Sequence, residues 1–126
     1  MSKDPVSIKE LAKGNKDFRR EAVTGKHSQI VLMCLEPGEA IGEEVHGGND
    51  QIFVVAKGSG EALVAGASQP LEKGSMLLVP AGTPHDIRNT GSKRLRLVTI
   101  YSPPHHAPGT VHRTREDAMR EEAHEH

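Results

Sequence analysis

The sequence predicts an all-β domain, either a sandwich or a barrel. Between residue 18 and about residue 103 the chain is a series of short runs rich in β-branched and aliphatic residues. Gly, Pro and Asn separate these runs at nearly regular intervals, and several runs alternate apolar and polar side chains as half-buried strands do. The 126 residues suffice for one domain with its own core, so neither a metal nor a disulfide is needed for folding.

The N-terminal segment, residues 1–17, is predicted to be an extension that carries one short helix. Ser7 and Glu10 match a capping box, and Gly14 ends the apolar pattern that follows. We therefore expect a helix over residues 7–13, serving as a lid or as a contact at a sheet edge.

Eight runs form the predicted strand region, residues 18–103, in the order FRREAVT, SQIVLMCL, IGEEVH, QIFVVAK, GEALVAG, SMLLVP, HDIRN and RLRLVTIY. In RLRLVTIY, Leu95, Leu97, Thr99 and Tyr101 share one face. The runs SMLLVP and QIFVVAK are apolar at nearly every position. We therefore expect those two strands to be covered on both faces, with a partner or another chain segment on the outside.

The C-terminal segment, residues 104–126, is predicted to lie outside the sheets. The proline cluster in YSPPHHAPG stops the last strand, and TREDAMREEAHEH has helical propensity but almost no apolar face. We expect a short helix with a frayed end. The histidines of HHAPGTVH and HEH invite a second metal site, but loop and tail histidines lack the fixed spacing of ligands. The roles of His105, His106 and His112 stay open.

Composition and charge argue against several classes of protein. Sixteen basic and seventeen acidic residues give a net charge of −1, and the chain has only three aromatic residues, so nucleic-acid binding is not expected. No apolar run approaches the roughly 18 residues of a membrane span, and the N-terminus lacks the apolar core of a secretory signal. We expect a soluble cytoplasmic protein. The single cysteine, Cys34, is predicted to be a small buried hydrophobe.

Two segments have spacings that indicate a binding site. AIGEEVHGGNDQIFVV, residues 40–55, is predicted to form two strands joined by a Gly-rich turn, which places Glu44 and His46 on one face and returns Gln51 beside them. If that face is buried, the carboxylate and the imidazole need a partner. In the second segment, the turn PAGTPH delivers His85 to the start of another strand. Strands that close into a barrel would bring these four side chains together.

Both segments resemble the motifs of the cupin superfamily, specifically its small single-domain members. The first motif is Gly, five residues, His-x-His, three or four residues, Glu, six residues and Gly, and residues 38–58 reproduce these intervals. The second is Gly, five residues, Pro-x-Gly, two residues, His, three residues and Asn, which residues 74–89 match in full. The resemblance implies a jelly-roll β-barrel over residues 18–103, often dimeric, that holds a divalent metal. YSPPHHAPGTVHRT also resembles the extension of a bacterial cupin group labelled mannose-6-phosphate-isomerase-like.

The chain departs from the first motif at two positions. Glu44 stands where cupins usually carry the first His of the pair, and Gln51 stands where they carry Glu. Carried over residue by residue, the resemblance implies the metal ligands Glu44, His46, Gln51 and His85. This set keeps the elements of a 2-His-1-carboxylate site, with the Gln oxygen as a weaker fourth ligand. It suits Fe, Mn, Ni, Zn or Cu without choosing among them.

Other residues near the motifs have less specific predictions. Met33, Phe53 and Tyr101 are candidates to line the pocket, and core packing is the alternative for Met33 and Phe53. Asp50 either orients a ligand or belongs to a turn, and Asn89 is predicted to close a turn or fix the backbone near the second motif.

Three functions are compatible with these observations. The first is a metal-dependent enzyme, either a dioxygenase-type oxidoreductase or a sugar-acid isomerase or lyase. A divalent ion with one carboxylate is a net positive centre, so its substrate would be a small anionic or chelating metabolite. The second is a non-catalytic sensor of such a metabolite, and the third is a metal-free structural barrel. The apolar strands and the N-terminal extension also predict a homodimer.

Overall fold

The computed structural model describes residues 4–124, and the side chains of residues 122–124 lie outside that description. Within it the chain forms nine strands and two helices. Their order is α1 (Ile8–Gly14), β1 (Arg19–Thr24), β2 (Gln29–Leu35), β3 (Asp50–Lys57), β4 (Gly60–Val64), β5 (Ala67–Leu71), β6 (Met76–Val79), β7 (His85–Arg88), β8 (Leu95–Ser102), β9 (Val111–His112) and α2 (Arg115–His124).

The strands form two antiparallel sheets that enclose the core. One sheet has six strands in the order β6-β3-β8-β2-β1-β9, and the other has three in the order β5-β4-β7. The segment before β3 extends the smaller sheet through two isolated bridges to β7, Ala40 to Arg88 and Glu44 to His85. The predicted all-β fold is therefore confirmed as a jelly-roll β-barrel with two short helices.

The core lies between the sheets and follows the alternation of the strands. In β8 the face that includes Leu95, Leu97 and Tyr101 is almost fully buried and points inward. Inward side chains of β2 to β7, together with Phe18 and Ala118, complete the cluster. Full burial of each large aliphatic or aromatic side chain contributes about 1.5–3 kcal/mol, so this cluster is the main source of stability.

Helix α1 packs on the outer face of the larger sheet. The Ser7 side chain accepts a hydrogen bond from the Glu10 backbone N–H at 3.2 Å, as the capping box predicts. On the buried side Ala12 packs with Leu32 and Val98. Because these residues face away from the space between the sheets, α1 is a sheet contact and does not cover the interior.

One expectation about the strands is wrong, and another stays a prediction. No described segment of the chain covers the outer face of β6: Met76 and Leu78 are 73% and 54% exposed, because β6 is the edge strand of its sheet and α1 packs nearer the middle, so its expected cover would have to be a partner. Residues 40–55 do not form the expected hairpin. Gly42 has φ +103°, which interrupts an extended strand, and the chain then crosses to the other sheet, where β3 pairs with β6 and β8.

The C-terminal segment returns to the barrel. Strand β9, which the sequence pattern did not predict, pairs with β1. The expected helix follows as α2, where the Thr114 hydroxyl accepts a hydrogen bond from the Asp117 N–H and Ala118 is buried against the core. No helix within residues 4–124 has the length and apolar character needed to cross a membrane.

A glycine of the first motif is expected to tolerate no side chain. Gly58 has φ +91°, and a β-carbon there would lie 2.5 Å from the Arg94 carbonyl oxygen, which belongs to the backbone. Gly66 has a similar φ of +83°, but a β-carbon there would contact no other part of the protein within 4 Å. Gly66→Ala is therefore a matched control that isolates backbone strain. We expect Gly58→Ala to lower the free energy of unfolding by about 3 kcal/mol or more and Gly66→Ala by about 1 kcal/mol, measured by urea denaturation. Equal losses would contradict the steric argument.

Candidate metal centre

The predicted ligands come from both sheets and face the space between them. Glu44 and His85 are opposite each other: the Glu44 N–H donates to the His85 carbonyl at 2.8 Å, and the His85 N–H donates to the Glu44 carbonyl at 2.9 Å. Their side chains therefore share a face. His46 lies two residues further on, and Gln51, 2% exposed, projects from the opposite sheet beside Tyr101. The structure thus brings the four residues to one region, by a cross-sheet route and not by a hairpin.

The ring of His85 is held between two oxygen atoms. Its Nδ1 lies 2.9 Å from the Thr83 carbonyl oxygen, and its Nε2 lies 3.1 Å from Oε1 of Gln51. A carbonyl only accepts, so Nδ1 carries the proton and, in the neutral ring, Nε2 presents a lone pair. Two acceptors can face each other at this distance only with a proton or a metal ion between them, or with the Gln51 amide turned to donate.

His46 has a buried nitrogen that lacks a hydrogen-bond partner. Its Nε2 lies 3.4 Å from Oε2 of Glu44, close enough for an ion pair, yet among the described residues it makes no hydrogen bond. A buried imidazole nitrogen without a partner is unfavourable. A cation between these two side chains would satisfy both.

Glu44 is the acidic member of the set. Burial alone would raise its pKa, but the contact with His46 and the nearby guanidinium of Arg19 hold the pKa of the carboxyl below its usual value. Glu44 is therefore ionised at neutral pH and is available as a metal ligand.

The four residues are of types that bind divalent ions, but their side chains are not all close enough to bind one ion together. With metal–ligand bonds of about 2.1 Å, two ligand atoms lie about 3.0 Å apart at a right angle and about 3.4 Å apart at a tetrahedral angle. The contacts of His85 with Gln51, 3.1 Å, and of His46 with Glu44, 3.4 Å, have these separations. The two imidazole centroids are 5.6 Å apart. However, no three His, Cys, Asp or Glu side chains in residues 4–121 are grouped closely enough to hold an ion. Binding of one ion by all four residues would require the His85–Gln51 pair and the His46–Glu44 pair to move closer together.

A loop of the C-terminal segment borders the same region. The His105 ring lies 4.4 Å from the His46 ring, centroid to centroid, and stacks on Tyr101 at 5.4 Å. The buried Gln29 side chain holds this loop: its Oε1 accepts from the backbone N–H groups of His105 and His106, and its Nε2 donates to the His106 carbonyl. These histidines therefore border the candidate centre, and no sequence signal singled out Gln29.

His106 and Tyr101 form a second polar contact at this border. Nε2 of His106 lies 3.4 Å from the Tyr101 hydroxyl. Burial, with the positive charge of Arg19 and neighbouring histidines, lowers the pKa of His106 to about 3. Burial also raises the pKa of Tyr101. At neutral pH the phenol therefore keeps its proton and can donate it to an uncharged imidazole.

The low pKa of His106 predicts a pH-dependent contribution to stability. Between about pH 6.5 and pH 3 the unfolded chain protonates this residue while the folded chain does not, so protons favour unfolding. His106→Gln keeps an acceptor but cannot titrate. We expect the stability advantage of the wild-type protein over His106→Gln to shrink as the pH falls below about 6.5. Urea unfolding at several pH values measures it, and a pH-independent difference would contradict it.

The remaining predicted residues have structural roles. Met33 and Phe53 belong to the core, and the Phe53 ring packs 5.9 Å from that of His85. Asp50 accepts a hydrogen bond from the Ala81 backbone, as a turn residue does. Asn89 joins turns through the Leu35 and Lys93 carbonyls and the Gly91 N–H, as predicted.

Arg19 is a charged residue that the sequence patterns did not identify. It lies on the inner face of β1 and is 2% exposed, with Nη1 3.3 Å from Nδ1 of His112. Because arginine only donates, Nδ1 of His112 accepts and its Nε2 carries the proton that contacts Glu121 of α2. An arginine at one position of an alternating strand gives no signal that it points inward.

The fold and the two motifs define the chain as a cupin. The cupin domain model matches residues 31–101, more than half of the chain, and the chain belongs to this family. The chain is 41% identical over 123 residues to a Bacillus subtilis protein named YrkC, described as uncharacterized. The match covers 93% of this chain and 66% of that protein. The crystal structure of BH2720 from Bacillus halodurans is similar, with 38% identity, a TM-score of 0.92, and coverage of 94% of this chain and 95% of that one.

A more distant relative carries a functional name. An oxalate-binding protein of Thermotoga maritima is 28% identical over 81 residues, which is 64% of this chain and 67% of that protein. The chain spans about two thirds of the length of the Bacillus subtilis and Thermotoga maritima relatives.

Proposed function

We propose that the chain is a metal-dependent enzyme that binds a divalent cation and acts on a small anionic or chelating metabolite. Glu44, His46 and His85 would hold the ion, and Gln51 would be a weaker oxygen ligand. The observation that carries the proposal is the buried Nε2 of His46, which has no hydrogen-bond partner among the described residues and lies beside the ionised Glu44 carboxylate.

The chemistry of the donors limits the metal. Imidazole and carboxylate ligands together suit Fe, Mn, Ni, Zn or Cu, and they favour Mg²⁺ and Ca²⁺ less than an all-oxygen site does. Such an ion would polarise a substrate oxygen and lower the pKa of bound water. With one carboxylate in the set, the centre keeps a positive charge that attracts anions.

The surrounding residues would orient the reactants. The Thr83 carbonyl fixes the tautomer of His85 so that Nε2 faces the centre. Tyr101 keeps its phenolic proton, which a substrate oxygen could share with His106. These groups would bind and orient a substrate, and they do not by themselves select a reaction.

Two reaction types remain in the proposal, a dioxygenase-type oxidation of an enolate or diol and an isomerisation or elimination of a sugar acid. The Thermotoga maritima relative is named for binding oxalate, a chelating carboxylate, which favours a small acid as the ligand. Kinship with the mannose-6-phosphate-isomerase-like group would instead favour a sugar acid. We also propose that this reaction takes place in the cytoplasm.

Metal analysis of protein purified without added metal tests the proposal. We expect close to one equivalent of a transition metal in the wild-type protein and little in Glu44→Ala, His46→Ala and His85→Ala. A low content that all three variants leave unchanged would overturn the proposal and favour the metal-free barrel. If metal is present, oxygen uptake with a panel of enolates separates oxidation from isomerisation. Metal and ligand binding without turnover would identify a sensor.

We also propose that a second copy of the chain covers the edge of the larger sheet. β6 ends this sheet, and its exposed Met76 and Leu78 adjoin the half-buried outer residues of β3. An antiparallel β6 from a two-fold mate would pair with the free edge and bury these side chains. Light scattering should give a dimer, and Leu78→Lys should give a monomer. A monomeric wild-type protein would contradict this arrangement.

A further inference from the structure

The loop between β8 and β9 lies over the candidate centre. β8 ends at Ser102 and β9 begins at Val111, so residues 103–109 belong to neither sheet. Most of the loop is exposed, yet the ring of His105 lies 4.4 Å from the ring of His46, centroid to centroid. The loop therefore provides a cover for the interior that helix α1 does not provide.

The neighbours that enclose His46 are of two kinds. The rings of His85 on β7 and Tyr101 on β8 lie 5.6 and 6.0 Å from its ring, and both residues belong to the sheets. The ring of His105 is nearer and belongs to the loop. The His46 side chain is only 9% exposed, and its Nε2 is buried. Of these neighbours, the loop can move away without separating paired strands.

Side chains outside the loop hold its backbone in place. The Asn49 amide donates a hydrogen bond to the Pro103 carbonyl at 2.5 Å, and the Glu21 carboxylate accepts one from the Gly109 N–H at 3.1 Å. Between these two ends, the buried Gln29 side chain makes three hydrogen bonds to the loop backbone. Because these contacts come from side chains, the loop can be released while the strand pairing of both sheets stays intact.

Release of the loop requires less free energy than unfolding of the barrel. No residue of positions 103–109 belongs to either buried apolar cluster. The backbone groups that are released can form hydrogen bonds with water. Segments with few buried apolar contacts open locally, at free energies well below that of global unfolding. The loop therefore has the properties of a unit that opens on its own.

We infer that residues 103–109 are a lid over His46 and Tyr101, and that the hydrogen bonds of Gln29 are its latch. In the closed state the His105 ring covers the ring of His46. In the open state a small molecule reaches His46 and Tyr101 from solvent. This inference goes beyond the proposed function, because it concerns access to these two residues whether or not a metal is bound.

Labelling of histidines with diethyl pyrocarbonate, read by peptide mass spectrometry on chelator-treated protein, tests the lid. His27 is exposed and lies on the same tryptic peptide as His46, so it is the internal reference. In the wild-type protein we expect His46 to react about tenfold or more slowly than His27. Gln29→Ala should raise the rate at His46 by about tenfold, and Asn49→Ala, which removes one hydrogen bond, by about threefold. Gln69→Ala, on the edge strand β5, is the control and should change neither rate.

Hydrogen exchange of the wild-type protein distinguishes a lid from a fixed cover. We expect the amide hydrogens of His105, His106 and Gly109 to exchange at rates that low concentrations of urea barely change, because local opening exposes little surface. Amide hydrogens of β8 should instead follow the urea dependence of global unfolding.

Three results would overturn the lid. They are a wild-type His46 that reacts as fast as His27, a rate at His46 that neither latch variant raises, and loop amides with the urea dependence of β8. If Gln29→Ala does not fold, Asn49→Ala decides the second point. Both measurements are made without added metal, so the lid can fail while the protein binds metal, and a protein that binds no metal can still have the lid.

Discussion

Glu44→Ala is expected to weaken divalent metal binding by about 100-fold or more, because it removes the only anionic member of the proposed ligand set. The neighbouring residue supplies a matched control. Glu43 carries the same charge one position away but is exposed, so Glu43→Ala changes the long-range attraction without removing a ligand. We expect Glu43→Ala to stay within about twofold of the wild-type affinity.

Equilibrium titration with Zn²⁺ or Mn²⁺ in the presence of a competing chelator measures both variants. Each variant should keep the wild-type far-UV circular dichroism spectrum, since Glu44 is half-buried and Glu43 is exposed. Equal losses in the two variants would show that charge near the barrel mouth, and not coordination by Glu44, attracts the ion. That result would contradict the assignment of Glu44 as a ligand.

Gln29→Ala is expected to lower the free energy of unfolding by about 3 kcal/mol, because several buried hydrogen bonds lose one partner. The Gln29 amide donates to the His106 carbonyl at 2.6 Å and to the Thr24 hydroxyl at 2.9 Å. Its oxygen accepts from the N–H groups of His105 and His106 at 3.1 and 3.0 Å. The variant would leave three backbone groups of the loop without these partners.

The same change should also loosen the loop over residues 103–109. We expect limited proteolysis to cut this loop in Gln29→Ala well before it cuts the wild-type protein. Gln69→Ala, on the exposed edge strand β5, is the control and should change stability by less than about 0.5 kcal/mol. Unchanged stability and protease resistance in Gln29→Ala would contradict the role assigned to this side chain.

The sequence predicted which residues share a side of the candidate site better than it predicted how residues 40–55 connect the two sheets. The i, i+2 spacing correctly indicated that Glu44 and His46 share a side, since that rule needs only local extended geometry. The hairpin was wrong because a Gly-Gly pair can either reverse a chain within one sheet or carry it to another. The two choices give the same local pattern, and only the long-range pairing of β3 with β8 distinguishes them.

The missed residues were those whose role depends on contacts far along the chain. Arg19 contacts His112, and Gln29 holds residues 105 and 106, so each acts on a partner more than 70 positions away. A polar residue in a strand is normally read as solvent-facing. Motif spacing identifies a family's ligands, but it does not report a buried arginine or glutamine outside the motif.

The division of the proposed ligands between the two sheets has a mechanical consequence. Glu44, His46 and His85 belong to the smaller sheet and its extension, whereas Gln51 belongs to the larger one. An ion bound by all four residues would cross-link the two sheets, and its release would require the sheets to separate locally. Metal exchange would then be as slow as this separation of the sheets. Amide hydrogens of both sheets would become protected from exchange together when the ion binds.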